Sequence, residues 1–423
     1  MNIIINPPRN EWPALLQRPT LDHSTLEAAV LEVMGNVRLN GDKALAELTQ
    51  RFDGVLLKSI KVSEAEIAAA EQVLSPALKA AIAQAKEHIE KFHAAQVQEM
   101  ERITTMPGVQ CWRKSTGIEK VGLYIPGGSA PLFSTVLMLG IPAVLAGCRE
   151  IVLCTPPGKN GAVHPAVLYA AGVAGITQIY KAGGAQAIAA MAYGTETIPA
   201  VYKVFGPGNQ YVTCAKQLIQ RDGIAIDMPA GPSEVCVLAD ETANAAYVAA
   251  DLLSQAEHGP DSQVLLVSTS ARVAEQVTVE VNEQLNDLPR KNIAIKALEN
   301  SKAILIESIN EAMALINAYA PEHLIISCAN DEAVADLVVN AGSVFLGNYS
   351  PESVGDYASG TNHTLPTNGY AKAYSGVSVD SFVKKITYQK LTQQGLQRIA
   401  STVICMAEAE GLQAHANAVR KRM

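Results

Sequence analysis

The chain has 423 residues, of which 48% are apolar, 17% charged and 5% aromatic, and it carries a net charge of -8 at pH 7. That length exceeds what one compact core usually serves, so two or more domains are expected. The negative balance argues against nucleic acid or an anionic membrane as a partner, and the basic tail Arg420-Lys421-Arg422 is too short to reverse it.

The opening MNIIINPPRN has neither the basic n-region nor the apolar stretch of a signal peptide. The most apolar internal segment, Val136 to Gly147, is interrupted by Gly140 and Pro142 and is too short to span a bilayer. Seven scattered cysteines without a CxxC pair suit reduced thiols, and a cytoplasmic location is expected.

Residues 1–20 read as a Pro-rich, irregular arm. Helical periodicity dominates 24–100, and Ser63 with Glu66 makes a capping box. From Gly122 to about 238, β-rich runs alternate with amphipathic or Ala-rich helical stretches. The runs are EIVLC (150–154), QIY (178–180), VYKVF (201–205), IAID (224–227) and EVCVL (234–238). Alternation at this spacing predicts βαβ units on a parallel sheet. A second set follows: a helix at 242–257, the strand QVLLVS (263–268), a helix from 271, the strand-like run IAIKAL, a helix at 308–319, then LIIS and VFLG. After Pro366 the pattern reads as helical to the end. The expectation is an α/β protein with two Rossmann-like parallel-sheet domains and small N- and C-terminal helical segments. Residues 21–121 and 239–366 would form one domain and 122–238 the other, leaving 367–423 as the C-terminal segment.

Three glycine-rich turns fall where strands of the first set hand over to helices: Tyr124-Ile125-Pro126-Gly127-Gly128, Ala182-Gly183-Gly184-Ala185-Gln186 and Gly206-Pro207-Gly208-Asn209. Adjacent glycines let a backbone approach a ligand closely, and the helix start that follows favours anions, so a dinucleotide pyrophosphate would fit. None is the GxGxxG fingerprint, and each alone reads more readily as a tight turn than as a cofactor site. Together they offer the polar side chains Tyr124, Gln186 and Asn209.

Three of the eight histidines draw attention: His258 in Gln255-Ala256-Glu257-His258, His323 after Glu322, and His415 near the end. Gln255 and His258 are i and i+3 on a predicted helix, and share a face. With Asp356 and His415 they would give two nitrogens and two oxygens, a donor set suited to zinc, with manganese as competitor. Separations this long carry no specificity by themselves, and Asp356 also reads as a cap after Gly355. Glu322-His323, at a helix-to-strand junction, can act as an acid/base pair or as a solvated helix end. His363 lies in a turn-rich loop with no role assigned; His23, His88, His93 and His164 lack a companion pattern. No cysteine has the setting of a nucleophile, Cys148 being the least implausible.

The strings VGLYIPGG, GPGNQYV, DMPAGPSE, DLLSQAEHGPDSQ, APEHL and GDYASGTNHTLPT, in this order over nearly the whole chain, resemble the histidinol dehydrogenase family. The resemblance implies an NAD-dependent enzyme that oxidises L-histidinol to L-histidine by two hydride transfers through an aldehyde, the last step of histidine biosynthesis. It also implies a fold related to that of aldehyde dehydrogenases. Carried onto this chain, it makes Gln255, His258, Asp356 and His415 zinc ligands, Glu322 and His323 the acid/base pair, and Tyr124, Gln186 and Asn209 the NAD contacts. Substrate contacts would be Ser233, His323 and Glu410 with the metal ligands. Family members are homodimers whose C-terminal segment reaches the neighbouring site, which here would bring Glu410 and His415 there. Two competing readings are a cysteine-dependent aldehyde or acyl-phosphate reductase, and a non-catalytic protein that captures an imidazole ligand.

Overall fold

The computed structural model describes residues 2–19, 23–127 and 131–423. Its first parallel sheet has five strands in the order Gln178–Lys181, Glu150–Thr155, Lys120–Tyr124, Lys203–Phe205 and Ala225–Ile226. The winding reverses between Lys120–Tyr124 and Lys203–Phe205, which opens a crevice beyond the carboxyl ends of those strands. Leu123, Leu153, Ile179 and Phe205 are fully buried because helices cover both faces. One face is packed by the helical segment His23–Asp53, broken at Gly41, together with Gly184–Tyr193 and Gln210–Arg221. The other is packed by Glu64–Val73, Pro76–Ala94, Phe133–Leu145 and Pro165–Val173. The capping box forms: Ser63 N donates to Glu66 Oε2 at 2.9 Å and Glu66 N to Ser63 Oγ at 3.3 Å.

These contacts correct the expected domain grouping. The helices of 23–94 complete the sheet of residues 120–226, not the domain of 239–366, because a parallel sheet must bury both faces and this one supplies the apolar partners.

The second parallel sheet has six strands in the order Ile3–Ile5, Lys302–Leu305, Gln263–Ser268, Glu234–Ala239, His323–Ser327 and Ser343–Leu346. It repeats the same winding, with one added strand at its edge. Glu234–Ala239, expected in the first set, pairs here with Gln263–Ser268 and His323–Ser327. The arm also differs from expectation, since Ile3–Ile5 adds that edge strand and Trp12 is buried with its Nε1 donating to Pro7 O at 3.0 Å. IAIKAL is helical within Lys291–Glu299, with only Ala294 and Ala297, three apart, buried.

A third, antiparallel sheet joins Arg102–Met106, Val109–Gly117 and Val383–Leu391, so the C-terminal region is not wholly helical. It leads into the helical hairpin Gln393–Ala409 and Gln413–Arg420. Just before the strand, Phe382 stacks on Phe205 with ring centroids 3.9 Å apart, anchoring this segment in the first sheet's core. Among the described residues, no helix is long and apolar enough to cross a membrane.

Candidate active site

The three glycine-rich turns do converge. They line a cleft of about 960 Å³ beyond the carboxyl ends of the five-stranded sheet, with Tyr124, Gly127, Gly184, Gln186 and Asn209 on its wall; Gly128, like the side chain of His23, lies outside the described residues. Gly184 N donates to the Tyr124 hydroxyl at 3.0 Å. Burial pushes the Tyr124 pKa up to about 12, so the phenol keeps its own proton to offer. Asn209 Oδ1 caps helix Gln210–Arg221 by accepting from Tyr211 N and Val212 N, which leaves its amide NH2 for a ligand. Between them, the Gly206 peptide is clamped on both sides: its N–H donates to Asp227 Oδ2 at 2.8 Å, and Lys216 Nζ donates to its carbonyl at 2.9 Å. Lys216 and Asp227 are themselves a buried ion pair, 2.5 Å apart. Gly206 has φ +127°, and a side chain there would run into the Tyr124 carbonyl, so only glycine fits.

A second cluster gathers at the amino ends of the six-stranded sheet. Helix Ala245–Ala256 holds Gln255 in its last turn; His258 lies in the turn beyond, its N–H donating to Gln255 O at 3.2 Å. The expected shared helix face is therefore a helix end. Helix Ile309–Tyr319 stops at Ala320, whose φ of +54° turns the chain, and His323 opens the next strand. Glu322 and His323 are 6% and 3% exposed, which removes the solvated alternative for that junction.

The Glu234 peptide joins these groups. Its N–H donates to Glu322 Oε2 at 2.8 Å, and its carbonyl lies 3.2 Å from Gln255 Nε2 and 3.1 Å from His323 Nδ1. His323 Nε2 is 3.6 Å from Asp356 Oδ1 and has no hydrogen-bond partner. Asp356 belongs to helix Glu352–Tyr357, and its backbone oxygen meets His363 Nδ1 at 2.8 Å. The other His363 nitrogen lies 2.9 Å from Thr135 Oγ1, so His363 ties this cluster to a helix of the first sheet.

Burial raises the Glu322 pKa well above the carboxylate range. Burial also opposes charge on His323, but Glu322 and Asp356 outweigh it and raise its pKa. Burial opposes charge on Asp356 too, but the neighbouring His323 outweighs it, lowers its pKa and keeps the carboxylate ionised. His258 retains an exposed edge, yet enough protein surrounds the ring that desolvation lowers its pKa and favours the neutral imidazole.

These states suit a divalent cation. Gln255 Oε1 is buried without a partner, because the other amide atom faces Glu234 O and His323 Nδ1. A neutral amide oxygen, a neutral imidazole and a carboxylate are donors zinc accepts. Among the described residues of one chain, no three His, Cys, Asp or Glu side chains are grouped to hold a metal unaided. His415 and Glu410 lie on the exposed C-terminal hairpin, with no hydrogen bond or ion pair to the cluster. Ser233 is half-buried next to Glu234, its carbonyl accepting from Gln263 N at 3.2 Å.

Sequence reasoning missed Glu352. It is 1% exposed, its Oε1 accepts from Ser254 Oγ at 3.2 Å, its Oε2 has no partner, and burial lifts its pKa to about 8. Its position one helical turn before Asp356 was the available signal. Cysteine chemistry finds no support: burial pushes Cys148 up to about 11 and Cys328 to about 12, and raises Cys154 and Cys236 further.

The histidinol dehydrogenase family model matches residues 16–423. A histidinol dehydrogenase of Bacteroides thetaiotaomicron is 59% identical over 423 residues, covering 100% of this chain and 99% of the relative. One from Vibrio parahaemolyticus is 54% identical over 413 residues, covering 97% and 95%. The crystal structure of histidinol dehydrogenase from Elizabethkingia anophelis superposes with a TM-score of 0.98 at 57% identity, covering 100% of this chain and 98% of that one. With a matching profile over nearly its whole length and relatives this close, the chain belongs to the histidinol dehydrogenase family.

Proposed function

We propose that this protein oxidises L-histidinol to L-histidine through histidinaldehyde, reducing two NAD and using one zinc ion per site, in the cytoplasm. The observation that carries this reading is the single cluster of Gln255, Glu322, His323 and Asp356, with His258 in the turn after Gln255; His363 ties the cluster to a helix of the first-sheet domain. Gln255, His258 and Asp356 would hold the zinc, with His415 as fourth ligand from a second copy of the chain. When bound, zinc would supply a charge that grips the substrate's imidazole and amine and offsets Asp356, one of the carboxylates holding up the His323 pKa.

The residues divide the work. His323 Nε2, free of other partners, accepts the alcohol proton in the first oxidation. Glu322, held by the Glu234 amide, takes a proton from the water that adds to the aldehyde. Ser233 and Glu410 complete the substrate site. Tyr124, Gln186 and Asn209 place NAD in the cleft as the acceptor of both hydrides. Free cysteines without a disulfide fit a reducing compartment.

The test is NADH formation from L-histidinol, before and after metal stripping and zinc return. Activity lost on stripping and restored by zinc is expected. Oxidation that persists in fully stripped protein would overturn the role given to zinc, and absent NADH would overturn the whole reading.

A further inference from the structure

Glu322, His323 and the Gln255 amide all meet the backbone of one residue, Glu234. Its side chain is held as firmly as its backbone. Arg18 Nε and Nη2 donate to the two Glu234 carboxylate oxygens at 2.5 and 2.8 Å, and Asn368 N donates to Oε1 at 2.8 Å. The Arg18 and Glu234 side chains are only 14% and 3% exposed. Arg18 Nη2 also donates to Tyr319 O at 2.8 Å, and the guanidinium lies over the Tyr319 ring, 4.1 Å from its centroid. Tyr319 ends the helix that precedes Glu322 and His323. One guanidinium thus fixes both the peptide that holds the catalytic pair and the helix end that delivers it.

We infer that Arg18 and Glu234 are positioning residues for the oxidation, setting the aim of Glu322, His323 and Gln255 Oε1 without touching substrate. A buried ion pair is not in itself strong evidence for stability, since apolar groups often replace one at little cost. What a bidentate fork adds is direction: two parallel N–H···O bonds fix the rotation of the carboxylate and of the residue bearing it. Lysine would supply the charge without the fork. The inference rests on the acid/base and metal roles proposed above.

The experiment compares zinc-loaded full-length wild type, Arg18→Lys, Glu234→Gln and, as control, Glu322→Gln. The readouts are kcat and KM for each oxidation, zinc affinity by competition with a chromophoric chelator, and thermal melting. Arg18→Lys should lower kcat of both oxidations by roughly 10- to 100-fold and weaken zinc affinity by about tenfold. KM for NAD should stay within about twofold, because the nucleotide cleft is untouched. Glu234→Gln, which keeps the shape but loses the charge, should follow in the same direction, and it decides the matter if Arg18→Lys fails to fold. A folded variant whose kcat and zinc affinity both match wild type would overturn the positioning role. If Glu322→Gln also leaves both oxidations intact, the proposed acid/base assignment fails instead.

Discussion

Glu322 and His323 are neighbours in sequence but answer to different surroundings. Glu322 Oε2 is tied to a backbone amide inside the cluster, whereas His323 Nε2 faces Asp356 across 3.6 Å. We therefore expect Glu322→Gln to slow aldehyde oxidation by about 10²- to 10⁴-fold while sparing alcohol oxidation. Single-turnover assays on histidinol and on histidinaldehyde separate the two, and equal loss in both would refute the division of labour. The pH dependence follows from the same burial. With a raised pKa, Glu322 takes up a proton while the solution is still less acidic than an exposed glutamate requires. Since the carboxylate is the active form, aldehyde oxidation should fade as pH falls through that raised value. A pH–rate profile with its acidic limb in the ordinary glutamate range would contradict this.

At the scale of elements, the Lys216–Asp227 pair shows how the fold holds the loop proposed to bind the cofactor. Both charges are buried and both bond the Gly206 peptide. Asp227→Ala should cost about 3–5 kcal/mol by denaturant titration, because it strands a buried lysine, and should raise KM for NAD. A loss below ~1 kcal/mol would mean that water reaches Lys216. Strands with strong local signals, such as QVLLVS and LIIS, were legible in the sequence because they are apolar and buried on both faces. Val383–Leu391 was not, since most of its residues are exposed and its partner Val109–Gly117 lies far away in the chain. IAIKAL misled for the converse reason, as its apolar residues are too dense to reveal which period they follow. Of the site, the polar side chains were legible as types. The Glu234 peptide was not, because a backbone group leaves no mark on residue identity.

For the whole molecule, the proposed reading has the C-terminal hairpin of one copy, exposed here, complete the site of a second. His415→Asn should lower zinc content by elemental analysis. Mixing that variant with Glu322→Gln should restore up to about a quarter of wild-type activity, because each heterodimer regains one intact site. No recovery would place His415 and Glu322 on the same subunit. The two parallel sheets, wound alike, are used from opposite ends. The glycine-lined cleft, proposed to take NAD, lies where helices begin, with backbone N–H groups offering partial positive charge to an anion such as a pyrophosphate. The acid/base cluster lies where the helices Ala245–Ala256 and Ile309–Tyr319 finish, so the carbonyl ends of their dipoles bias that region negative. One folding pattern, turned end for end, thus yields one field that welcomes phosphate and another that welcomes a metal ion, before any side chain contributes its charge.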